Sequence, residues 1–337
     1  MFEFNVVGGD VAREIIRTSR ADIVDIVRSA YLTHHAGNSV NPNSYFLRFP
    51  EKPSARIIAL PAYLGGEYDV AGIKWIGSFP ENIENNVPRA SAVLLLNDYA
   101  TGYPFACLEA SQISAARTAA SATLGAEELL GCRYASKVAM VGSGVIGRNI
   151  VEFLAARHWQ VGEFAVFDKV AGYAGKFADH VRRSFGVPAR CAASVSAAID
   201  GADVVVLATT AAVPHITDTR AFAPGQVVLN ISLRDIGPDV IADAYNVLDD
   251  VEHCLTANTS PHLAEQATGH RDFVTGTLAE LILGEVRLSA ARPKIFSPFG
   301  LGVLDLAVGT FVHEQALRQR RTVPIDGFFA ETQRWTS

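Results

Sequence analysis

A strand, a glycine turn and a helix follow one another without a gap between Lys137 and Asp168, and no other stretch constrains the fold as much. Lys137-Val138-Ala139-Met140-Val141 is an apolar run of strand length, too short for a helix. It leads into Gly142-Ser143-Gly144-Val145-Ile146-Gly147, a G-x-G-x-x-G, after which Ile150, Val151, Phe153 and Leu154 recur at helical spacing. A second apolar run, Phe164-Ala165-Val166-Phe167, ends on Asp168, 21 residues past Gly147. Each part has a task in a dinucleotide site. Gly142 permits the tight turn, Gly144 lets the backbone approach a pyrophosphate, and Gly147 lets helix and strand pack closely. The free N–H groups of the helix start then face the phosphates. Glycines cluster in ordinary turns too; the strand before, the helix after and the acid at the expected distance are what make this a dinucleotide-binding domain. Asp168 favours a free ribose 2′-OH, hence NAD, although Lys169 stands beside it.

The rest of the composition narrows the class. At 337 residues with 49% apolar residues the chain can fill two cores. A net charge of −6 with 29 basic residues argues against a nucleic-acid binder. No run of about 18 apolar residues offers a membrane span, and Met1-Phe2-Glu3-Phe4-Asn5 lacks the basic start and apolar core of a signal peptide. Cys107, Cys132, Cys191 and Cys254 form no C-x-x-C pair and suit a reducing compartment, so a cytoplasmic protein is expected. Of nine histidines only His34 and His35 are neighbours, and adjacent helical residues point different ways, so no metal site is expected.

The periodicity sets an α/β architecture in two parts. Residues 19–35 read as a helix with Ser19 and Asp22 as a capping pair. Between Tyr45 and Cys107 the period becomes that of strands, at 45–49, 56–60, 70–76 and 92–96, and Asn97–Gly102 reads as a hairpin turn into 104–108. This first region is expected to be an α+β unit built on a mostly antiparallel sheet. Residues 111–130, rich in Ala, Leu and Glu, form a long bridging helix that ends near Gly131. Strand and helix then alternate, with apolar strands at 203–210, 226–231 and 246–250, as a doubly wound parallel sheet of Rossmann type requires. Thr209, Thr210, Ser232, Arg234, Asp235 and Asp250 fall at the carboxyl ends of those strands, the ligand side. A last helix, 303–320, is expected to return to the first region. The expected domains are therefore 1–130 with 303–337, and 131–302, for NAD.

Several other residues offer chemistry. Lys74 interrupts an apolar strand; it either faces solvent or faces an enclosed site, where it would neutralise a carboxylate or exchange protons at a lowered pKa. Arg117 lies among Ser114, Ala115, Ala116, Thr118 and Ala119; it is either an exposed helix charge or a two-pronged grip on a carboxylate or phosphate. Arg48 and Arg56 sit in strand patterns that a solvated face would also explain. Asp305, between Leu304 and Leu306, needs a partner such as a lysine if it is buried. His253 follows an acidic run and reads more readily as structural.

Gly72-Ile73-Lys74, Arg117-Thr118-Ala119-Ala120, the glycine fingerprint and Gly300 to Asp305 together resemble the ornithine cyclodeaminase/μ-crystallin family, over essentially the whole length. Lys74 to Asn82, Pro88 to Ala92 and Asn230 to Asp235 look most like its branch that oxidises N-(2-amino-2-carboxyethyl)-L-glutamate in 2,3-diaminopropionate supply for siderophores. The resemblance implies a homodimer in which the first domain, 1–130 with 303–337, supplies the substrate pocket and the dimer contacts, Lys74 is catalytic, and Arg117 lies between a substrate carboxylate and the cofactor phosphate. It also implies that Ser91, Val145, Ile146, Asp168, Thr209 and Phe299 contact NAD and that Arg48 binds a carboxylate. The family's cyclodeaminases carry a catalytic aspartate in a Gly-Asp-x-Pro-Gly-Lys-like segment; here the segment reads Ser232-Leu233-Arg234-Asp235-Ile236-Gly237-Pro238, and no aspartate aligns without a shift. Ornithine cyclisation is thereby disfavoured. Asp235 is left as an acid/base candidate and Arg234 as a clamp on an additional carboxylate. The other activities the family implies are alanine-dehydrogenase-like or ketimine-reductase chemistry, or non-catalytic NAD(P)H binding.

Overall fold

A computed structural model describes residues 2–334. The chain forms two compact units: the residues up to Arg117 together with those from Leu301 onward, and Thr118–Gly300. The division falls inside one continuous helix, Ser111–Leu130, rather than at its end.

The first unit is built on an eight-stranded sheet, antiparallel except where Asn5–Val7 runs parallel to Pro104–Glu109. Its centre is the succession Lys52–Leu64, Val70–Ser78 and Ala90–Asp98, paired in continuous register. Alternation divides the sheet into two faces. Lys74 stands across from Leu60 and Leu94 on the buried face, while Tyr45, Ala59, Trp75 and Val93 form a row on the other. The buried face is covered by the helix Gly302–Arg318, which also packs on Arg20–His35. Gly309 makes that approach possible: a Cβ there would sit 2.1 Å from Leu94. The strands at 45–49 and 104–109 and the turn closed by Gly102 N–H to the Asp98 carbonyl, 2.8 Å, match expectation. The helix expected over 19–35 is Arg20–His35, but Ser19 makes no side-chain cap. An unforeseen helix, Gly9–Thr18, ends on Ser19, whose N–H bonds back to the Ile16 carbonyl. Closing that helix fixes Ser19 in a geometry (φ −124°, ψ 22°) outside the extended region that capping uses.

The second unit is an all-parallel eight-stranded sheet. Its strand order is Ala189–Cys191, Gln160–Phe167, Tyr134–Val141, Val204–Leu207, Val227–Asn230, Lys294–Ser297, Tyr245–Leu248 and Val274–Thr277. Val204–Leu207 and Val227–Asn230 are buried at every position, as a sheet covered on both faces requires. From Tyr134–Val141 the chain first winds outward through 160–167 and 189–191, then crosses to 204–207 on the other side. The strand order therefore reverses between 134–141 and 204–207. Ligands of such sheets bind in the crevice beyond the carboxyl ends at that reversal.

Candidate active site

The glycine turn lies at the reversal. Gly142 has φ +96°, and a Cβ there would lie 2.4 Å from the Ala208 carbonyl oxygen, so only glycine fits. Gly144 heads the helix Val145–Ala156 with no side-chain cap, and a Cβ on it would meet nothing within 4 Å. The first helical N–H groups are thus left for an anion. Asp168 ends the neighbouring strand; its carboxylate accepts from the Ser143 N–H at 2.8 Å and the Val170 N–H at 2.9 Å. A hollow of about 370 Å³ beside the turn is lined by Ser143, Gly144, Val145, Arg148, Lys176 and Arg183, a positive lining suited to phosphates. These residues fit a dinucleotide.

On the other side of the reversal a second cluster surrounds Asp235, which is fully buried. One carboxylate oxygen accepts from Thr209 Oγ1 at 2.6 Å and from His215 Nε2 at 2.7 Å; the other accepts from Ser232 Oγ. The backbone carbonyl of Asp235 takes the N–H groups of His215 and Ile216. Arg234 points elsewhere: its guanidinium donates to the carbonyls of Ala257 and Asn258, which both have positive φ, and so braces that loop. Phe299 is tied through its N–H to Asp249 at 2.9 Å, and Asp250 caps the short helix Val251–Cys254 with His253 against it. His253 is structural there.

The first unit holds the densest charge cluster. Asp305 lies in the first turn of Gly302–Arg318, where the helix dipole favours an anion, and it is fully buried. Lys74 Nζ donates to one of its oxygens at 2.5 Å and Arg117 Nε to the other at 3.1 Å; Lys74 also reaches Ser114 Oγ at 3.2 Å. Ser114 and Arg117 are three apart on one helix and so share a face. Lys74 is itself only 2% exposed. Burial pushes its ammonium down to about 8; the Asp305 carboxylate opposes this and the Arg117 guanidinium adds to it. A lysine titrating there exchanges protons near neutral pH. The enclosed setting is thus the one of the two open to Lys74, and the partner expected for Asp305 is this lysine.

The remaining residues named from the sequence stand apart. Arg48 pairs with Arg56 in register, and Arg56 with Ser78, so both arginines share the face of Lys74 but four residues further along the strand. Arg48 is exposed, with its guanidinium 5.1 Å from the Phe46 ring. Ser91 is exposed on the opposite face, the one that carries Val93 and Trp75. His215 drew no attention in the sequence. The available signal was its place in the loop just beyond the apolar strand at 203–210, the ligand side of a parallel sheet. Among the described residues no group of three or more His, Cys, Asp or Glu could hold a metal.

Fold and clusters define a protein with a dinucleotide-binding unit and a second, antiparallel unit enclosing a cationic cluster. Residues 10–320 match the model of the ornithine cyclodeaminase/mu-crystallin family, and the chain belongs to that family. The chain is 28% identical over 327 residues to the N-((2S)-2-amino-2-carboxyethyl)-L-glutamate dehydrogenase of Staphylococcus aureus (strain NCTC 8325 / PS 47), covering 91% of this chain and 97% of that protein. Its fold is that of Thermococcus litoralis Delta(1)-pyrroline-2-carboxylate reductase, solved with NADH and L-proline (TM-score 0.87, 21% identity, 96% of this chain and 100% of that one). It is equally that of an archaeal alanine dehydrogenase dimer with bound NAD (TM-score 0.85, 24% identity, 97% and 100%).

Proposed function

We propose that this protein is an NAD-dependent oxidoreductase acting on a CH–NH group. Its reaction is oxidative hydrolysis: N-(2-amino-2-carboxyethyl)-L-glutamate, NAD⁺ and water give L-2,3-diaminopropionate, 2-oxoglutarate, NADH and a proton, supplying a siderophore or another natural-product pathway. The observation that carries the reading is the buried Lys74–Asp305–Arg117 cluster, because two cations share one carboxylate there. While Lys74 is protonated, one positive charge is left over in a dry setting, which suits an anionic substrate; the neutral form of Lys74 is the one that accepts a proton. The similarity to the staphylococcal dehydrogenase supplies the substrate.

Bound NAD⁺ supplies the hydride acceptor. Gly142, Gly144, Val145, Ile146 and Gly147 present the turn and helix start to its pyrophosphate, Asp168 takes the ribose hydroxyls, and Thr209 and Phe299 stand toward its other half. Arg117 holds the carboxylate next to the reacting carbon, and Arg48 a more distant one. Lys74, with a pKa near 8, takes the proton from the substrate's secondary ammonium, which must be neutral before its α-carbon can be oxidised. Asp305 positions both cations, and holding the reacting groups in place is itself a large part of the catalysis.

The protein works as a homodimer through the outer sheet face, where Tyr45, Leu47, Trp75 and Val93 are 70%, 48%, 43% and 42% exposed. Light scattering that shows a monomer refutes this. No helix among the described residues is long and apolar enough to cross a membrane; four free cysteines suit the cytoplasm, which cell fractionation checks.

Incubation of the purified protein with NAD⁺ and the conjugate, followed by mass spectrometry, is expected to give equimolar NADH, 2-oxoglutarate and diaminopropionate. Alanine or proline oxidised in preference to the conjugate would replace this substrate with one named for the similar folds. Ornithine consumed with no net NADH would make the protein a cyclodeaminase.

A further inference from the structure

We propose that His215 is the acid–base group for the hydrolytic half of the reaction, held in the working tautomer by Asp235. The inference rests on the oxidative-hydrolysis reading above. That reaction has two parts, and the cluster around Lys74 accounts for the first. Once the α-carbon has been oxidised the substrate is an imine, and a water must then be activated and a nitrogen released.

The geometry around His215 suits that task. Asp235 is fully buried and receives three side-chain donors, from Thr209, Ser232 and His215. All three bonds end on the carboxylate oxygens, which accept, so the imidazole presents Nε2–H to them. Nδ1 is then the bare nitrogen, and it has no hydrogen-bond partner among the described residues. The imidazole is 32% exposed, so water reaches it, whereas the carboxylate behind it is sealed. This is the arrangement in which a buried aspartate orients a histidine and stabilises its protonated form. Asp235 is accordingly a positioning residue: at 0% exposure it meets no substrate itself.

Topology places the pair at the working end of the cofactor site. Asp168 ends strand 160–167, on one side of the strand-order reversal, and takes the adenosine ribose. The other half of a dinucleotide therefore extends over strands 204–207 and 227–230. Thr209, His215, Ser232 and Asp235 all lie in the connections that leave those two strands.

The step balances without a further reagent. His215 Nδ1 takes a proton from water while the water oxygen bonds to the iminium carbon; the C=N π pair moves to nitrogen, which keeps the proton it already carries. His215 passes its proton to that nitrogen and then takes the proton of the carbinolamine hydroxyl as the carbonyl forms and the C–N bond pair leaves with nitrogen. That second proton passes from His215 to the released primary amine. Carbon keeps its oxidation state throughout, and the products are 2-oxoglutarate and the primary amine.

The test separates the two halves by rapid quench with excess conjugate and NAD⁺. His215→Gln is expected to retain a burst of about one NADH per site while steady-state release of 2-oxoglutarate falls about 10²-fold or more, within the span of a general base. Borodeuteride added at the plateau should yield conjugate carrying one deuterium at the glutamate α-carbon with the variant and not with the wild type. Asp235→Asn should behave likewise. In the ligand-free wild type, ¹⁵N chemical shifts should show Nε2 protonated and Nδ1 bare, a pattern lost in Asp235→Asn. The proposal is overturned if His215→Gln turns over like the wild type, if it slows burst and steady state equally, or if Nδ1 carries the proton. A wild type that makes no NADH from the conjugate overturns the substrate reading and this proposal together; a wild type that turns over beside an unaffected variant overturns this one alone.

Discussion

Two aspartates in this protein are each fully buried, and they are handled in opposite ways. Asp305 is flanked by two cations, Lys74 and Arg117, brought from 231 and 188 residues away. Asp235 is surrounded by two hydroxyls and one imidazole that come from within 26 residues. In the first cluster charge is cancelled by charge. In the second, two hydroxyls and an imidazole donate to the carboxylate, which in turn fixes the orientation of that one histidine. On the function proposed above, the first cluster binds substrate and moves a proton at a shifted pKa, and the second fixes an orientation.

That contrast can be broken experimentally. Lys74→Met should show the largest effect, a fall in turnover of about 10²–10⁴-fold in an NADH assay, with NAD affinity kept in calorimetry. Full turnover would remove Lys74 from the chemistry. Asp305→Asn leaves two buried cations uncompensated and should lower the unfolding free energy by about 3–5 kcal/mol in urea titration. It should also lower the Lys74 pKa further, because Asp305 is the group that raises it. Thr209→Val removes one neutral donor of several from Asp235, so a smaller loss is expected, about 1.5–3 kcal/mol in the same titration. If it costs as much as Asp305→Asn, the distinction between the clusters fails.

The smallest effect is a dependence on pH. Unfolded, Lys74 holds its proton up to about 10.5; folded, it releases it near 8. Between those values the unfolded chain binds the extra proton, so stability rises with pH, while below 8 both states carry it and the slope vanishes. From pH 8 to 9 the gain should be about 1 kcal/mol, and Lys74→Met should lack it.

The dinucleotide unit was legible because its signals are contiguous. Gly142, Gly144, Gly147 and Asp168 fall within one strand–turn–helix–strand passage, and each acts on its own backbone or on the next strand. The alternation of Val70 to Ile76 and of Ala92 to Leu96 likewise marked the antiparallel sheet. Gly9–Thr18 has polar and apolar residues at helical spacing, and by closing on Ser19 it forbids the cap that the local pattern of Ser19 and Asp22 suggests. His215 was silent because a lone histidine in a loop has no period to betray it.

By itself, then, the sequence determined two sheets of different type, a glycine turn shaped for a pyrophosphate, and a lysine and an arginine each open to two settings. Those properties are local, set by side-chain alternation, helical spacing and the conformational freedom of single glycines. Tertiary structure alone decided that Lys74, Arg117 and Asp305 share one dry cluster and that Asp235 aims His215. Hydrogen bonds and ion pairs act over about 3 Å in space, whatever the length of chain between the partners. Only the packing of helix Gly302–Arg318 on the sheet brings residue 305 to residue 74.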